Sequence, residues 1–109
     1  MTSGSIWKSD KERLQKEKKA LVRQYLADNA ISTKYKGYNI LIFAILYAAE
    51  HPTAPCKELF AAYTSEEDAI TKDPQIAYKT TAYAIKQVPK LKGMSVFPFI
   101  KDCSVTIES

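Results

Sequence analysis

The densest apolar stretch of the chain runs from Asn39 to Ala49 and directly follows Lys36-Gly37-Tyr38. Wound into a helix, it is apolar on nearly every side, which is typical of a helix that other helices surround. His51-Pro52 ends the stretch, because the residue before a proline is disfavoured in the helical conformation. The sequence therefore predicts a buried central helix from about Gly37 to Glu50.

Amphipathic patterns predict further elements on either side of this helix. The first is a helix from Ser9 or Asp10 to about Asp28, since its apolar residues recur with a period near 3.6. These residues are Leu14, Leu21, Val22, Tyr25 and Leu26. After the central helix, we expect a short helix from Cys56 to about Tyr63 and a helical turn from Glu66 to Ile70.

Asp73-Pro74 is a strong helix start signal, with Asp as the N-cap and Pro in the first helical position. We expect this helix to run to about Val88, just before Pro89. Its inner face is predicted to comprise Ile76, Ala77, Thr80 or Thr81, Ala84, Ile85 and Val88.

The last part of the chain consists of β-prone runs. Two of them, 96–100 and 103–107, flank Lys101-Asp102, which is typical of a hairpin with a two-residue turn. Pro98 would confine its strand to a sheet edge, and Gly37 and Gly93 are expected to be turn or cap residues. The prediction is therefore a mainly α fold, a helical bundle that ends in a short β-hairpin over 95–108.

The length of 109 residues fits one domain. We expect 1–8 to be flexible and 9–109 to form the domain, with a core over 20–90. No N-terminal segment has the layout of a secretory signal, and the longest apolar run is shorter than the roughly 20 residues that span a bilayer. The expected location is the cytoplasm, without membrane association.

The net charge of +4 is concentrated near the N-terminus, where seven basic and three acidic residues lie between Lys8 and Gln24. An acidic stretch over 66–73 is followed by a second basic segment from Lys79 to Lys101. Two basic segments suit a polyanionic partner. The alternative is that both are solvated helix faces.

Residues suited to catalysis are sparse. His51 is the only histidine, and with Cys56 and Cys103 it does not make a zinc ligand set of standard spacing. The three glycines do not form a phosphate-binding loop. We therefore expect no enzyme activity, no metal, no cofactor and no small-molecule substrate.

The helices predicted at 56–63 and 74–88 have the layout of a helix-turn-helix, with the second as recognition helix. Its outward residues are Gln75, Lys79, Ala82 and Lys86, with Tyr78 and Tyr83 on the flanks. Gln can read adenine, Lys can reach guanine or phosphate, and Tyr can contact the backbone. Supporting basic residues are Lys16, Arg23, Lys34, Lys36 and Lys57. The alternative is an ordinary amphipathic helix with a polar outer face.

The succession of these segments resembles the C-terminal DNA-binding effector domain of the sporulation master response regulator of endospore-forming bacteria. The matching residues are Lys36-Gly37-Tyr38, Leu41, Ala44-Ile45, Cys56-Lys57-Glu58-Leu59-Phe60 and Ala84-Ile85-Lys86. The resemblance covers about Leu21 to Val88. It implies a helix-turn-helix transcription regulator that binds double-stranded DNA as a dimer on paired sites.

The chain also departs from that family. Lys34 replaces its histidine, additional residues lie around 64–72, and its Arg and Glu before Ala-Ile fall on Thr80, Ala82 and Tyr83. The receiver domain of that family is not expected here. The hairpin would replace the family's helical C-terminal region and would lie beside the recognition helix as the wing of a winged-helix variant. Two functions follow: a stand-alone DNA-binding regulator, or a protein-interaction module that has lost DNA reading and modulates a partner regulator.

Overall fold

The computed structural model describes the backbone of residues 3–91 and 93–108 and the side chains of 13–91 and 93–107. These residues form five α-helices and one 3₁₀ turn. The elements are α1 (Ser3–Asp28), α2 (Gly37–Glu50), α3 (Cys56–Thr64), α4 (Pro74–Lys86), the turn Pro89–Leu91 and α5 (Val96–Glu108). The expectation of a mainly α fold is confirmed.

Helix α2 is the centre of the bundle, because it packs against α1, α3, α4 and α5. Its predicted limits, Gly37 and Glu50, are confirmed. Its buried residues are Gly37, Ile40, Leu41, Ile42, Ala44, Ile45 and Ala48, which cover more than half of the helix circumference, whereas Asn39 and Glu50 are exposed. Burial of these apolar side chains is the main source of stability in such an arrangement.

Gly37 is a packing residue, which corrects the expectation of a turn or cap role. A Cβ atom added at this position would lie 2.5 Å from the carbonyl oxygen of Thr80 and 3.1 Å from the Cβ of Ala84. The absence of a side chain therefore lets the start of α2 lie directly against the backbone of α4. Gly93, by contrast, has a φ of +85° and fits the expected turn role.

The predicted C-terminal β-hairpin over 95–108 is wrong, since Val96–Glu108 is helix α5. The buried residues of this segment are Val96, Phe99, Ile100, Cys103, Ser104 and Ile107, a helical spacing that packs onto α2. Burial of this stripe outweighs the β propensity of its residues. Pro98 lies in the first turn of α5, where a missing N–H costs nothing, and not in an edge strand. Lys101-Asp102 is inside the helix, so no wing forms here.

Helix α4 begins as predicted. The Asp73 carboxylate accepts a hydrogen bond of 2.9 Å from the Gln75 N–H, which caps the helix. The helix ends at Lys86, earlier than the predicted Val88. Its inner face consists of Ala77, Thr81, Ala84 and Ile85. Ile76 was wrongly placed on that face, because 50% of it is exposed.

The remaining differences concern α1 and the segment after α3. Helix α1 begins at Ser3, earlier than the predicted start at Ser9 or Asp10. Of the segment 1–8, which is expected to be flexible, Met1 and Thr2 lie outside the described residues. Within α1, Val22 and Leu26 are buried, whereas Leu14 and Leu21 are exposed. Glu66 to Ile70 forms turns and not a helix.

Candidate nucleic-acid interface

The predicted outward residues of α4 do lie on its exposed side. Gln75, Lys79 and Lys86 are exposed, and Ala82 is half-buried between them. Opposite them, Thr81 is fully buried, and its hydroxyl donates a hydrogen bond of 2.9 Å to the Ala77 carbonyl. The buried polar group is thus satisfied within the helix, and the outer side remains available for a ligand.

Helices α3 and α4 pack against each other, as the two helices of a helix-turn-helix must. Their connection, residues 65–73, is longer than the turn of about 3–4 residues common in that motif. It is ordered by the Ile70 N–H, which donates a hydrogen bond of 3.1 Å to the Tyr63 hydroxyl. The Asp73 carboxylate at the start of α4 would repel a phosphate placed at that helix end.

A cleft forms where the loop before α2 meets α4, and we call it the lysine cleft. It is lined by Lys34, Tyr35, Lys36, Lys79, Thr80 and Tyr83 and has a volume of about 430 Å³. None of these lining residues is acidic. The close contact of Gly37 with Thr80 holds the loop and the helix together at its base. The structure thus brings Lys34 and Lys36 beside Lys79, although more than forty positions separate them along the chain.

Two tyrosines supply the aromatic part of the lysine cleft. The rings of Tyr35 and Tyr83 meet edge to face, with 5.6 Å between their centroids. The Lys34 ammonium lies 5.9 Å from the centroid of the Tyr35 ring. Tyr83 is 57% exposed, so much of its surface can contact a ligand. Lysines beside exposed tyrosines can bind phosphates and contact sugars or bases.

The opposite flank of α4 borders a second groove, shared with the start of α5. Tyr78, Ala82 and Lys86 line it on the α4 side, and Met94 and Val96 lie across from them. The Tyr78 ring also packs edge to face on Phe60, with 5.5 Å between centroids. The outer side of α4 is therefore a ridge between two grooves, with Lys79 and Tyr83 on one side and Tyr78 and Lys86 on the other.

The other basic residues predicted to support binding are not part of the lysine cleft. Lys16 and Lys19 line a third groove, between α1 and α2, where Glu66 and Asp68 are also found. Arg23 on α1 and Lys57 on α3 are exposed and line none of the three grooves. None of these four residues lines either of the two grooves beside α4.

Sequence reasoning missed Tyr35 and Thr80 as members of the cleft. Tyr35 stands between Lys34 and Lys36, an alternation of basic and aromatic residues that could have drawn attention to it. Thr80 had no such signal, because its place depends on the packing of α4 against Gly37. The Thr80 hydroxyl donates to the Ile76 carbonyl at 2.8 Å, so this hydrogen atom is already engaged.

The histidine and cysteines lie elsewhere. The ring of exposed His51 contacts that of Tyr47, with 4.4 Å between centroids. A hydrogen bond to Glu58, 3.0 Å long, raises the pKa of Tyr47. Burial raises the pKa of Cys103 to about 12, so this thiol remains protonated near neutrality. Burial also raises the pKa of the Cys56 thiol.

Within the described part of the chain, no three residues among His, Cys, Asp and Glu are grouped closely enough to hold a metal ion. No helix of that part has the length and apolar character that crossing a membrane requires. No protein-family model matches the chain, and no curated protein or solved structure matches it.

Proposed function

We propose that the protein is a small transcription regulator that binds double-stranded DNA through the outer side of α4 and the adjoining lysine cleft. The observation that carries the proposal is the gathering of Lys34, Lys36 and Lys79 in one cleft whose lining includes no acidic residue. Such a surface favours a polyanion, and DNA presents a regular series of phosphates.

In this proposal the ridge of α4 enters the major groove. Gln75 reads a base edge, since its amide can pair bidentately with adenine. Lys79 and Lys86 contact phosphate or guanine from the two sides of the ridge, and Tyr78 and Tyr83 contact the backbone. Ala82 is the small residue that lets the helix approach the bases. Helices α3 and α4 act as the helix-turn-helix, with a longer connection than usual.

The proposed relation to the effector domain of the sporulation response regulator is supported by α5. The C-terminal region of that family is helical, and the corresponding part of this chain, Val96–Glu108, is a helix. In this proposal the protein acts in the bacterial cytoplasm and binds paired DNA sites as a homodimer.

A titration of labelled random-sequence duplex DNA tests the proposal. We expect binding at about 50 mM salt and a steep loss of affinity by about 200 mM. Reversal of charge in Lys79→Glu and Lys86→Glu should weaken binding more than Lys19→Glu, a matched control on α1. Absence of binding at the lower salt concentration would exclude the proposal.

The second candidate function, a protein-interaction module, is favoured by the groove between α1 and α2. Its floor includes Ile42, Phe43 and Leu46, and Ile70 at its rim is 54% exposed. A groove that combines apolar residues with a charged lining can receive an apolar side chain from a partner. Sedimentation velocity of the wild type and Ile70→Lys tests self-association through it. A dimer in the wild type that dissociates in the variant supports this function, and a monomer in both opposes self-association there.

A further inference from the structure

We propose that the lysine cleft is a seat for one phosphate group, with Lys34, Lys36 and Lys79 directed at the same anion. The ligand class is a phosphate ester, and its identity as a DNA backbone phosphodiester rests on the proposed function. The seat lies on the flank of α4, so it fixes the register of that helix on DNA without reading sequence.

The size and origin of the cleft support a single small anion. A volume of about 430 Å³ accommodates a phosphate with its attached sugar but not a duplex. The three ammonium groups come from two segments, the loop before α2 and the middle of α4. Lys34 and Lys36 border the cleft from the loop and Lys79 borders it from α4, so lysines of two segments adjoin one volume.

Electrostatics favours occupation of that shared volume. Like charges lining one cleft repel one another, and no carboxylate in the lining offsets the repulsion. One bound phosphate is attracted by all three ammonium groups at once. Lysine suits this task because its ammonium is a compact charge with three donors that can turn toward the anion.

The cleft is also held in shape before any ligand arrives. The Tyr38 N–H donates a hydrogen bond of 3.0 Å to the Tyr35 carbonyl, and the Lys34 N–H donates one of 3.3 Å to the Ser32 hydroxyl. Gly37 then fixes this loop against Thr80 of α4. A loop that is already ordered loses less conformational entropy on binding. Gly37 is thus a positioning residue for the seat.

The salt dependence of the duplex binding constant measures how many phosphates the cleft neutralises. Each phosphate contributes about 0.9 to the slope of log K against log salt concentration. If three lysines share one phosphate, Lys34→Ala/Lys36→Ala/Lys79→Ala should lower the slope by about 0.9 in total. Lysines that contact separate phosphates would lower it by about 2.7, and that result would overturn the proposal.

Single variants provide a second count. If the three lysines share one anion, the losses of binding free energy in the three single variants should not sum to the loss in the triple variant. The reason is that each lysine acts on the same anion. The control Lys19→Ala should leave the slope unchanged. All three lysines are exposed, so the variants should fold, and thermal unfolding followed by circular dichroism checks this.

Titration of the protein with inorganic phosphate, against chloride at matched ionic strength, distinguishes the sources of the phosphate. We expect saturable amide shifts at Tyr35, Gly37 and Thr80 in ¹H–¹⁵N spectra, lost in the triple variant. Shifts that do not saturate, or that persist in that variant, would overturn the seat. Saturable shifts without duplex binding at low salt would support the seat for a free phosphate ester and exclude the proposed DNA function. Duplex binding that is lost on replacement of Lys86 but kept in the triple variant would overturn the phosphate seat and support the proposed DNA function.

Discussion

At the scale of single residues, Gly37 links the core to the candidate site. Glycine usually weakens a helix, and replacing it by alanine usually stabilises one by about 0.5–1 kcal/mol. Here the space for a methyl group is already occupied by the Thr80 carbonyl oxygen, 2.5 Å from the position of a Cβ. The ordinary preference is therefore expected to reverse, and the lysine cleft should be disturbed as well.

Gly37→Ala should lower the free energy of unfolding by about 1–3 kcal/mol, because the added Cβ overpacks the contact between α2 and α4. Urea denaturation measures the change. Gly93→Ala is a useful comparison, since nothing lies within 4 Å there and only the backbone strain at a φ of +85° opposes the alanine. A stabilised Gly37→Ala variant would show that the two helices separate easily at this point.

Cys103 provides a second residue-scale prediction, on pH. Burial raises the pKa of its thiol from 9.0 to about 12. The unfolded chain therefore releases this proton at a lower pH than the native protein does, so the associated stability is present below about pH 9 and lost as the pH rises toward 12.

Urea denaturation at several pH values above 8 tests this expectation. The free energy of unfolding should fall with rising pH more steeply in the wild type than in Cys103→Ala. Cys56→Ala, which removes a half-buried thiol, should flatten the pH dependence less. Equal pH dependence in the wild type and Cys103→Ala would contradict the role given to burial.

At the scale of elements, α4 and α5 differ in how far local sequence determines them. The start of α4 is specified locally, since Asp73 bonds the Gln75 N–H and Pro74 fits the first turn. Helix α5 has no such advantage, because its β-branched and aromatic residues favour strands locally. It is helical because one stripe of its surface is buried against α2. Its formation should thus depend on the bundle.

Loss of the α4 cap gives a test at this scale. Asp73→Ala should lower the free energy of unfolding by about 1 kcal/mol, because the Gln75 N–H loses its acceptor. Asp73→Asn keeps an oxygen acceptor and should cost much less. Chemical denaturation of both variants decides the matter, and equal losses would mean that the carboxylate charge, not the cap, stabilises the helix.

At the scale of the whole molecule, the bundle sorts the basic residues into different environments. Lys34, Lys36 and Lys79 share a cleft without acidic neighbours, whereas Lys16 and Lys19 share a groove with Glu66 and Asp68. A carboxylate near a lysine reduces the local attraction for a polyanion. Net charge alone therefore does not identify the surface that we propose to bind DNA.

Two double variants with the same change of net charge test this division. Lys34→Glu/Lys36→Glu should weaken duplex binding more than Lys16→Glu/Lys19→Glu, in a titration at one fixed salt concentration. The reason is that reversal in the lysine cleft places like charge against the phosphates, while α1 contributes only long-range attraction. Equal losses would indicate that binding depends on total charge.

The sequence by itself determined α2, the start of α4 and most of the inner face of α4. These features depend on local physics: an apolar surface on all sides of a helix, a cap with a following proline, and a helical period of apolar residues. It also identified Lys79, Tyr83, Lys34 and Lys36 as candidates without indicating that they meet.

Only the tertiary structure decided the rest. Helix α5 replaced the expected hairpin because burial against α2 outweighs local β propensity. The lysine cleft exists because Gly37 lets α2 approach the backbone of α4. This approach brings the loop before α2 next to a face of α4, although the two are distant in the sequence. Contacts between distant segments depend on how helices pack in three dimensions, and the local pattern of a sequence does not contain that information.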